Sequence, residues 1–214
     1  MKNVNRLIIY ICGVYLLALG GVLAIKSNLG ASPVSSLPLS ISKVSSINLG
    51  TAAAILFITY VFIQMILLRK DFKFIQLLQI IFAILFGKVM DFFNVIININ
   101  VDSSHIRILI CLVSFFITAL GVVLTITPNI VPIAPDGLTQ VIGKKANIEF
   151  GKAKIYFDCI VVMLSITILL LNNKTLEGIG IGTILSALLV GRIVALLNMK
   201  LKHRINNICF GEVA

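Results

Sequence analysis

Six long runs of apolar residues divide this chain and constrain its fold more than any other feature. They cover about residues 7–25, 50–68, 74–97, 107–126, 151–171 and 178–198. Each run approaches the length of about 20 residues that an α-helix needs to cross the hydrocarbon core of a bilayer. The sequence therefore predicts an all-α membrane protein with about six transmembrane helices in a lipid bilayer.

The composition excludes a water-soluble domain. Hydrophobic residues make up 59% of the 214 residues and charged residues only 12%, whereas a soluble domain is about half apolar and about a quarter charged. The 18 Lys and Arg residues give a net charge of +10, but they are scattered between the apolar runs. Because they form neither a basic face nor a basic arm, we expect no nucleic-acid partner.

The two halves of the chain resemble each other in sequence. The aligned segments are 20–29 with 121–130, 50–52 with 151–153, and, after a short insertion, 80–88 with 184–192. Chance matches between Ile and Leu are frequent, so the weight falls on the matches of Gly, Asn, Pro and Lys or Arg, which recur in the same order. These matches indicate an internal repeat.

The repeat should consist of two inverted three-helix units within one membrane domain. We place the first unit in residues 1–100 and the second in residues 101–214, the latter ending in a cytoplasmic C-terminal tail. Units with three spans enter the membrane from opposite sides, so an axis in the membrane plane relates them. Segments 26–49 and 127–150 mix polar and apolar residues after the first span of each unit. Each segment should contain a broken or short helix.

The distribution of positive charges predicts the orientation of the chain. With the N-terminus in the cytoplasm, the inner segments hold twelve Lys and Arg residues and the outer segments hold four. Cytoplasmic segments of membrane proteins carry such an excess. We therefore expect a multi-pass protein of the inner, or cytoplasmic, cell membrane with both termini in the cytoplasm.

Two motifs carry a family resemblance. The first is an Asn-Leu-Gly-x-x-Pro turn within residues 26–33, followed by Gly50 and Thr51, and the second is a Gly-x-Gly-Thr-x-x-x-Ala-x-x-x-Gly pattern within residues 178–192. With these motifs, nearly the whole chain resembles the YczE/YitT-type family of bacterial multi-pass membrane proteins. The resemblance implies an inner-membrane protein whose biochemical activity is poorly defined.

The two mixed segments are the candidate solute site. Their prolines interrupt the helix, and broken backbone survives in a bilayer only where it is buried in protein or lines a water-filled cavity. Paired interruptions in inverted halves indicate a transport site; alternatively, both segments are amphipathic elbows in the membrane interface without a ligand. The candidate substrate-binding residues, expected to face one shared central cavity, are Asn28, Ser32, Pro33, Ser35, Asn129, Pro132, Asp136 and Gln140.

Four ionisable residues lie within the predicted spans, namely Lys88, Asp91, Asp158 and Arg192. Burying each of them costs at least about 2.5–3.5 kcal/mol, so each should be paired or hydrated. Lys88 and Asp91 are three residues apart on one helix and can pair directly. Asp158 and Arg192 share a depth, so we expect them within ion-pair reach. Such pairs are structural, or the long basic side chains extend to the membrane interface. The alternative is that Asp158 contacts a coupling ion or the substrate.

Small and amide residues within the spans have structural interpretations. The glycines between residues 178 and 191 make the last span lean, which favours close helix packing or a homodimer because small residues let backbones approach in lipid. A sliding surface for alternating access is the alternative. Gln64, Gln76 and Gln79 lie near the cytoplasmic ends of the second and third spans, and we expect them in the membrane interface.

The sequence contains no recognisable catalytic or metal-binding motif. It has no G-x-x-x-x-G-K-[ST], no H-E-x-x-H and no Ser/His/Asp set in a plausible order, and its four cysteines show no C-x-x-C spacing. We therefore expect no enzyme activity, no cofactor and no metal site. The function that fits best is a small secondary transporter or permease for an unidentified small polar or ionic solute. The alternatives are a non-transporting accessory or scaffold protein and the substrate-binding membrane subunit of a vitamin importer.

Overall fold

The structure, a computed structural model, describes residues 2–99, 103–176 and 178–211. Two short 3-10 segments, Arg69–Asp71 and Phe74–Leu77, join the third and fourth α-helices. The α-helices of the described chain are α1 (Lys2–Lys26), α2 (Pro33–Ser45), α3 (Leu49–Leu68), α4 (Leu78–Ile96), α5 (Ser104–Ile126), α6 (Ala134–Ala146), α7 (Phe150–Leu171) and α8 (Ile181–Phe210).

Six of the described helices are long and apolar enough to cross a membrane, and only α2 and α6 are too short. The six candidate spans contain between 22 and 30 residues, which meets the requirement of about 20 residues. The prediction of an all-α membrane protein with six spans and a short helix after the first span of each half is therefore confirmed.

The last helix is longer than the sequence pattern indicates. The sixth apolar run ends near residue 198, but α8 continues to Phe210. Ile205 and Cys209 are one turn apart and pack against Val123 of α5, while the guanidinium of Arg6 lies 5.0 Å from the ring centroid of Phe210. The expected C-terminal tail is therefore largely helical, because its apolar face covers the ends of α1 and α5.

The internal repeat is visible in the backbone as well as in the sequence. The short helices α2 and α6 both contain 13 residues and begin 101 residues apart. Asn28 and Asn129 adopt left-handed φ angles of 56° and 51°. Ser46 and Asn147, which end the two short helices, have φ angles of 56° and 55°. The predicted unit boundary at residue 100 lies outside the described residues.

The first helices of the two units, α1 and α5, pack side by side in opposite directions. A Cβ atom at Gly13 would lie 2.8 Å from Cγ2 of Thr125, and one at Gly20 would lie 2.9 Å from the backbone nitrogen of Thr118. Residue numbers thus rise along one helix as they fall along the other, as an inverted repeat requires. The glycines let the two backbones approach closely.

Each short helix packs on two long helices, the one that follows it in the chain and the equivalent helix of the other unit. Thus α2 contacts α3 and α7, and α6 contacts α7 and α3. The N-terminal halves of α2 and α6 are buried, including residues 35–40 and 134–139. Both broken segments therefore enter the bundle instead of lying on its membrane-facing perimeter.

The two ends of the bundle are named here after α1. The Arg6 end contains the start of α1 and the end of α5, where Arg6 donates to the carbonyl oxygens of Pro128 and Asn129 at 2.9 Å each. The Lys26 end contains the end of α1 and the start of α8, where the backbone N–H of Gly182 donates to the carbonyl of Leu29 at 2.8 Å.

Candidate functional site

A cluster of three charged side chains lies between α6 and α7. Nζ of Lys154 is 2.8 Å from Oδ1 of Asp158 and 3.4 Å from Oδ1 of Asp136. The exposed fractions of the side chains are 26% for Lys154, 14% for Asp158 and 11% for Asp136. One ammonium group therefore holds two largely buried carboxylates together, and these three residues are called the ion cluster below.

The turn between α6 and α7 brings the members of the ion cluster together. Asn147 in the left-handed conformation ends α6, and the N–H of Ile148 donates to the carbonyl of Gly143 at 2.9 Å. This is the hydrogen bond of a Schellman motif, which reverses the chain. Gly143 then approaches α7 so closely that a Cβ there would lie 3.2 Å from Cβ of Ala153. The start of α6 thereby reaches the second turn of α7.

The expected pair between Asp158 and Arg192 is wrong. Asp158 pairs with Lys154, and Arg192 is exposed on α8. Helix α8 packs mainly on α5 and α1, so equal depth does not make the two residues neighbours. Lys154 lies four residues before Asp158 on one helix, and this spacing in the sequence is a usable signal for an ion pair.

The expected pair between Lys88 and Asp91 is also wrong. Oδ1 of Asp91 accepts a hydrogen bond of 2.6 Å from the N–H of Gly50 in the first turn of α3, and Lys88 is exposed. The first N–H groups of a helix lack partners within the helix, and the helix dipole favours a carboxylate there. Asp91 therefore fastens the start of α3 to α4.

Two tyrosines of other helices lie within electrostatic range of the ion cluster. Tyr10 of α1 is fully buried, with its ring centroid 4.4 Å from that of Phe82, and its hydroxyl has no hydrogen-bond partner among the described residues. It lies within electrostatic range of Asp136, and Tyr60 of α3 lies within electrostatic range of Asp158. A buried hydroxyl without a partner is unfavourable by about 1–3 kcal/mol, so Tyr10 has unused bonding capacity at this place.

Two glutamines form a buried pair beside α6. Nε2 of Gln64 donates to Oε1 of Gln79 at 3.0 Å and to the carbonyl of Ala134 at 3.2 Å, and Nε2 of Gln79 donates back to Oε1 of Gln64 at 3.2 Å. Their exposed fractions are 0% and 1%, so the expectation that they lie in the interface is wrong. The two amide groups are hydrogen-bonded to each other, which permits their burial. Neither glutamine, considered alone in the sequence, indicates that it is buried.

Serines make the equivalent contact in the other half. Ser165 of α7, which is 101 residues after Gln64, donates to the carbonyl of Ser36 at 2.9 Å and is hydrogen-bonded to the hydroxyl of Ser40. In both halves, a polar side chain of α3 or α7 thus binds the short helix of the other unit.

The four candidate residues of the first half do not form an open site. Asn28 is exposed in the turn after α1, whereas Pro33 and Ser35 are buried. The hydroxyl of Ser32 donates to that of Ser35 at 3.1 Å. A Cβ at Gly21 would lie 2.9 Å from Oγ of Ser35, so this part of α2 packs tightly on α1.

The four candidate residues of the second half separate into three places. Asn129 is exposed, and Asp136 belongs to the ion cluster. Pro132 and Gln140 line a cavity of about 470 Å³ at the Arg6 end, between α6 and the 3-10 segments. Gly137, the residue after Asp136, also lines it.

Neither of the two cavities in the described part of the chain joins candidates of both halves. The cavity at the Arg6 end contains none of the first-half candidates, and a second cavity of about 270 Å³ at the Lys26 end contains none of the eight candidates. The central cavity shared by both halves stays a prediction. The polar residues that line the larger cavity are Asp71, Lys73, Gln76, Gln140, Lys144 and Lys145.

Residues 4–199 match the protein family described as a family of unknown function, DUF6198. The chain belongs to this family. No curated protein and no solved structure matches it. The resemblance to YczE/YitT-type proteins stays a prediction. Among the described residues of this DUF6198 protein, no group of three or more His, Cys, Asp or Glu side chains is placed to hold a metal ion.

The two ends of this DUF6198 protein are packed differently. Backbone hydrogen bonds join the two units at the Lys26 end, called the closed end below, whereas the equivalent segments at the Arg6 end, called the open end, line the larger of the two cavities. At the Lys26 end, the N–H of Ala31 donates to the carbonyl of Gly178 at 2.7 Å, beside the bond from Gly182 to Leu29. By the sequence alignment, the equivalent segments at the Arg6 end are 130–132 and 74–78. These segments line the 470 Å³ cavity.

The last two helices of each unit also pack differently, with closer packing in the first unit. A Cβ at Gly50 of α3 would lie 1.8 Å from the carbonyl oxygen of Gly87 of α4, so these helices touch through their backbones. The equivalent residues on α7 and α8 are Gly151 and Gly191, and a Cβ at either one would meet nothing within 4 Å. The pair α3 and α4 is therefore closed, whereas its equivalent is apart.

Proposed function

We propose that this chain is a small secondary transporter or permease that moves a small polar or ionic solute across the cell membrane. The observation that carries the proposal is the inverted repeat with one closed end and one open end. Transporters built from inverted repeats alternate by exchanging the conformations of their two units around a fixed site. An asymmetric arrangement of two similar units is one of the two states that such an exchange requires.

The cavity at the Arg6 end is the proposed solute entrance. Its volume of about 470 Å³ falls within the range of about 300–1,000 Å³ that small-molecule sites occupy. Gln76 and Gln140 offer amide groups, and Lys73 and Lys144 offer positive charges. Gly137, the residue after Asp136 of the ion cluster, also lines this cavity.

A binding screen followed by a transport assay tests this function. A solute that is present at a concentration of about 100 times its Kd stabilises the folded protein by about 2.7 kcal/mol. A thermal-shift screen of the purified chain detects a stabilisation of this size. The same solute should then exchange across liposomes that contain the protein. An accessory or scaffold protein, which is the alternative, would bind and exchange no solute under these conditions.

Labelling of equivalent positions should detect the closed and open ends. On a background without the native cysteines, Pro132→Cys at the cavity should react with a hydrophilic maleimide at least about tenfold faster than Ala31→Cys, because minor states hold about 0.1–10% of the molecules. Ala31 is fully buried and Pro132 lines the cavity. A saturating transported solute should change the two rates in opposite directions.

Denaturation in detergent provides the control for this experiment, because it makes both cysteines react equally. Equal rates in the native protein would contradict the asymmetry of the two ends. Rates that a transported solute leaves unchanged would contradict alternation.

We also propose that both termini face the cytoplasm, so that the Arg6 end is the inner end. Lys43 and Lys144 are equivalent residues near the ends of α2 and α6, and they should lie on opposite sides of the membrane. An impermeant reagent added outside intact cells should label Lys43→Cys and not Lys144→Cys. Labelling of Lys144→Cys from outside would contradict this orientation.

A further inference from the structure

The ion cluster carries an unbalanced charge inside the bundle. Lys154 is the ion-pair partner of both Asp136 and Asp158, so the fully ionised cluster has one net negative charge. The two carboxylate side chains are only 11% and 14% exposed. A buried charge without compensation is strongly unfavourable. The cluster is therefore suited to bind one positive charge.

The fold itself does not require these charges. In the first unit, the residues 101 positions before Asp136, Lys154 and Asp158 are Ser35, Ala53 and Phe57. All three are buried and neutral, although α2 and α3 pack together just as α6 and α7 do. Because the same helix pair forms without charges, packing alone does not account for the ion cluster.

A second unusual polar group is the hydroxyl of Tyr10 on α1. The hydroxyl of Tyr10 is fully buried, has no hydrogen-bond partner in the described chain, and lies within electrostatic range of Asp136. A phenol hydroxyl can both donate and accept a hydrogen bond. It makes no hydrogen bond to the carboxylates of the cluster in this structure.

The titratable groups that face the cluster come from four helices. Tyr10 of α1 and Tyr60 of α3 lie within electrostatic range of Asp136 and Asp158, respectively. Asp136 belongs to α6, and Lys154 and Asp158 belong to α7. Contacts from α4 and α2 include Gln79 beside Gly137 and Ser40 beside Ser165. Lys154 is thus the internal counter-ion for both carboxylates.

We propose that the ion cluster is a proton-binding site and that the proton is the coupling ion of the proposed transporter, an inference that rests on that function. A metal cation would need several oxygen ligands around a space of its own, but the cluster residues line neither described cavity. A proton needs no such space. It is transferred from hydronium to a carboxylate oxygen of the cluster: one O–H bond of hydronium breaks, one O–H bond forms on the carboxylate, water is released, and the cluster becomes neutral.

Infrared spectroscopy of the purified full-length chain tests the site without any transport assay. Acidification should produce the C=O stretching band of a buried carboxylic acid in the wild type. The band should be lost in the double variant Asp136→Asn/Asp158→Asn. It should persist in Asp91→Asn, a matched control at the Lys26 end whose carboxylate binds a backbone N–H.

Two further variants keep the test decisive. The neutral triple variant Asp136→Asn/Lys154→Gln/Asp158→Asn should fold, because removing all three charges also removes the penalty for burying them, and it should lack the band. Tyr10→Phe should keep the band, because the hydroxyl makes no hydrogen bond to either carboxylate. A purely structural cluster would leave the band absent in the wild type or unchanged in the double and triple variants.

The outcomes separate this proposal from the proposed function. A protein that transports a solute while its infrared titration is the same in the wild type and in the double variant would overturn the proton site alone. A titration that the double variant abolishes, in a protein that exchanges no solute, would support the site and overturn the transporter. Loss of both the band and proton-driven transport in the folded triple variant is the expected result.

Discussion

Replacing Lys154 with Met should lower the free energy of unfolding by about 3–5 kcal/mol, because it removes the one counter-ion of two buried carboxylates. The ion pairs at 2.8 Å and 3.4 Å would both be lost. The loss should be smaller at low pH, where protonation neutralises the carboxylates. Chemical denaturation of the protein in detergent micelles, monitored through its helix content, measures this effect.

The matched control for this variant is Lys152→Met, since Lys152 is exposed near the start of the same helix. That control should change stability by less than about 0.5 kcal/mol, as is usual for surface substitutions. The neutral triple variant should recover much of the stability that Lys154→Met loses. Equal stability of Lys154→Met and Lys152→Met would contradict the role of Lys154 as counter-ion.

Replacing Gly50 with Ala should lower the stability by about 3 kcal/mol, the upper part of the range for overpacking. The new Cβ would lie 1.8 Å from the carbonyl oxygen of Gly87 and 2.8 Å from Cγ of Asp91. Because the obstacle is backbone, the helices α3 and α4 must move apart, and the bond from Gly50 to Asp91 is lost with them. Thermal melting of the purified variant measures the effect.

The repeat provides the control for this second variant. Gly151 is the equivalent of Gly50, and a Cβ there meets nothing within 4 Å. Gly151→Ala should therefore leave the melting temperature unchanged or raise it, since Ala favours a helix over Gly. Equal melting temperatures of the two variants would contradict the claim that α3 and α4 touch through their backbones whereas α7 and α8 do not.

The two predictions concern the two properties on which the proposed transport depends. Lys154 tests whether the ion cluster is a buried charged unit, and the glycine pair tests whether equivalent helices are held together at one end only. A protein with both properties has a titratable centre and two units that can exchange conformations. The cavity at the Arg6 end is lined by Gly137, the residue after Asp136 of the ion cluster.

Sequence alone determined the membrane-spanning fold of this protein. Span length and hydropathy are properties of contiguous residues, and a bilayer permits few alternatives to a helix for such segments. The repeat and the two short helices were also readable, because Gly, Asn and Pro mark backbone turns locally. The short helices begin 101 residues apart, as the alignment of residues 20–29 with 121–130 indicates.

Only the tertiary structure decided which helices are neighbours, and the site depends on that order. Depth in the membrane made Arg192 a reasonable partner for Asp158, but α8 packs on α1 and α5, and Lys154 takes that place. The burial of Gln64 likewise depends on Gln79, which another helix supplies. The difference between a closed and an open end arises from how two similar units pack, and hydropathy and spacing are nearly the same for both units, so they carry no information about it.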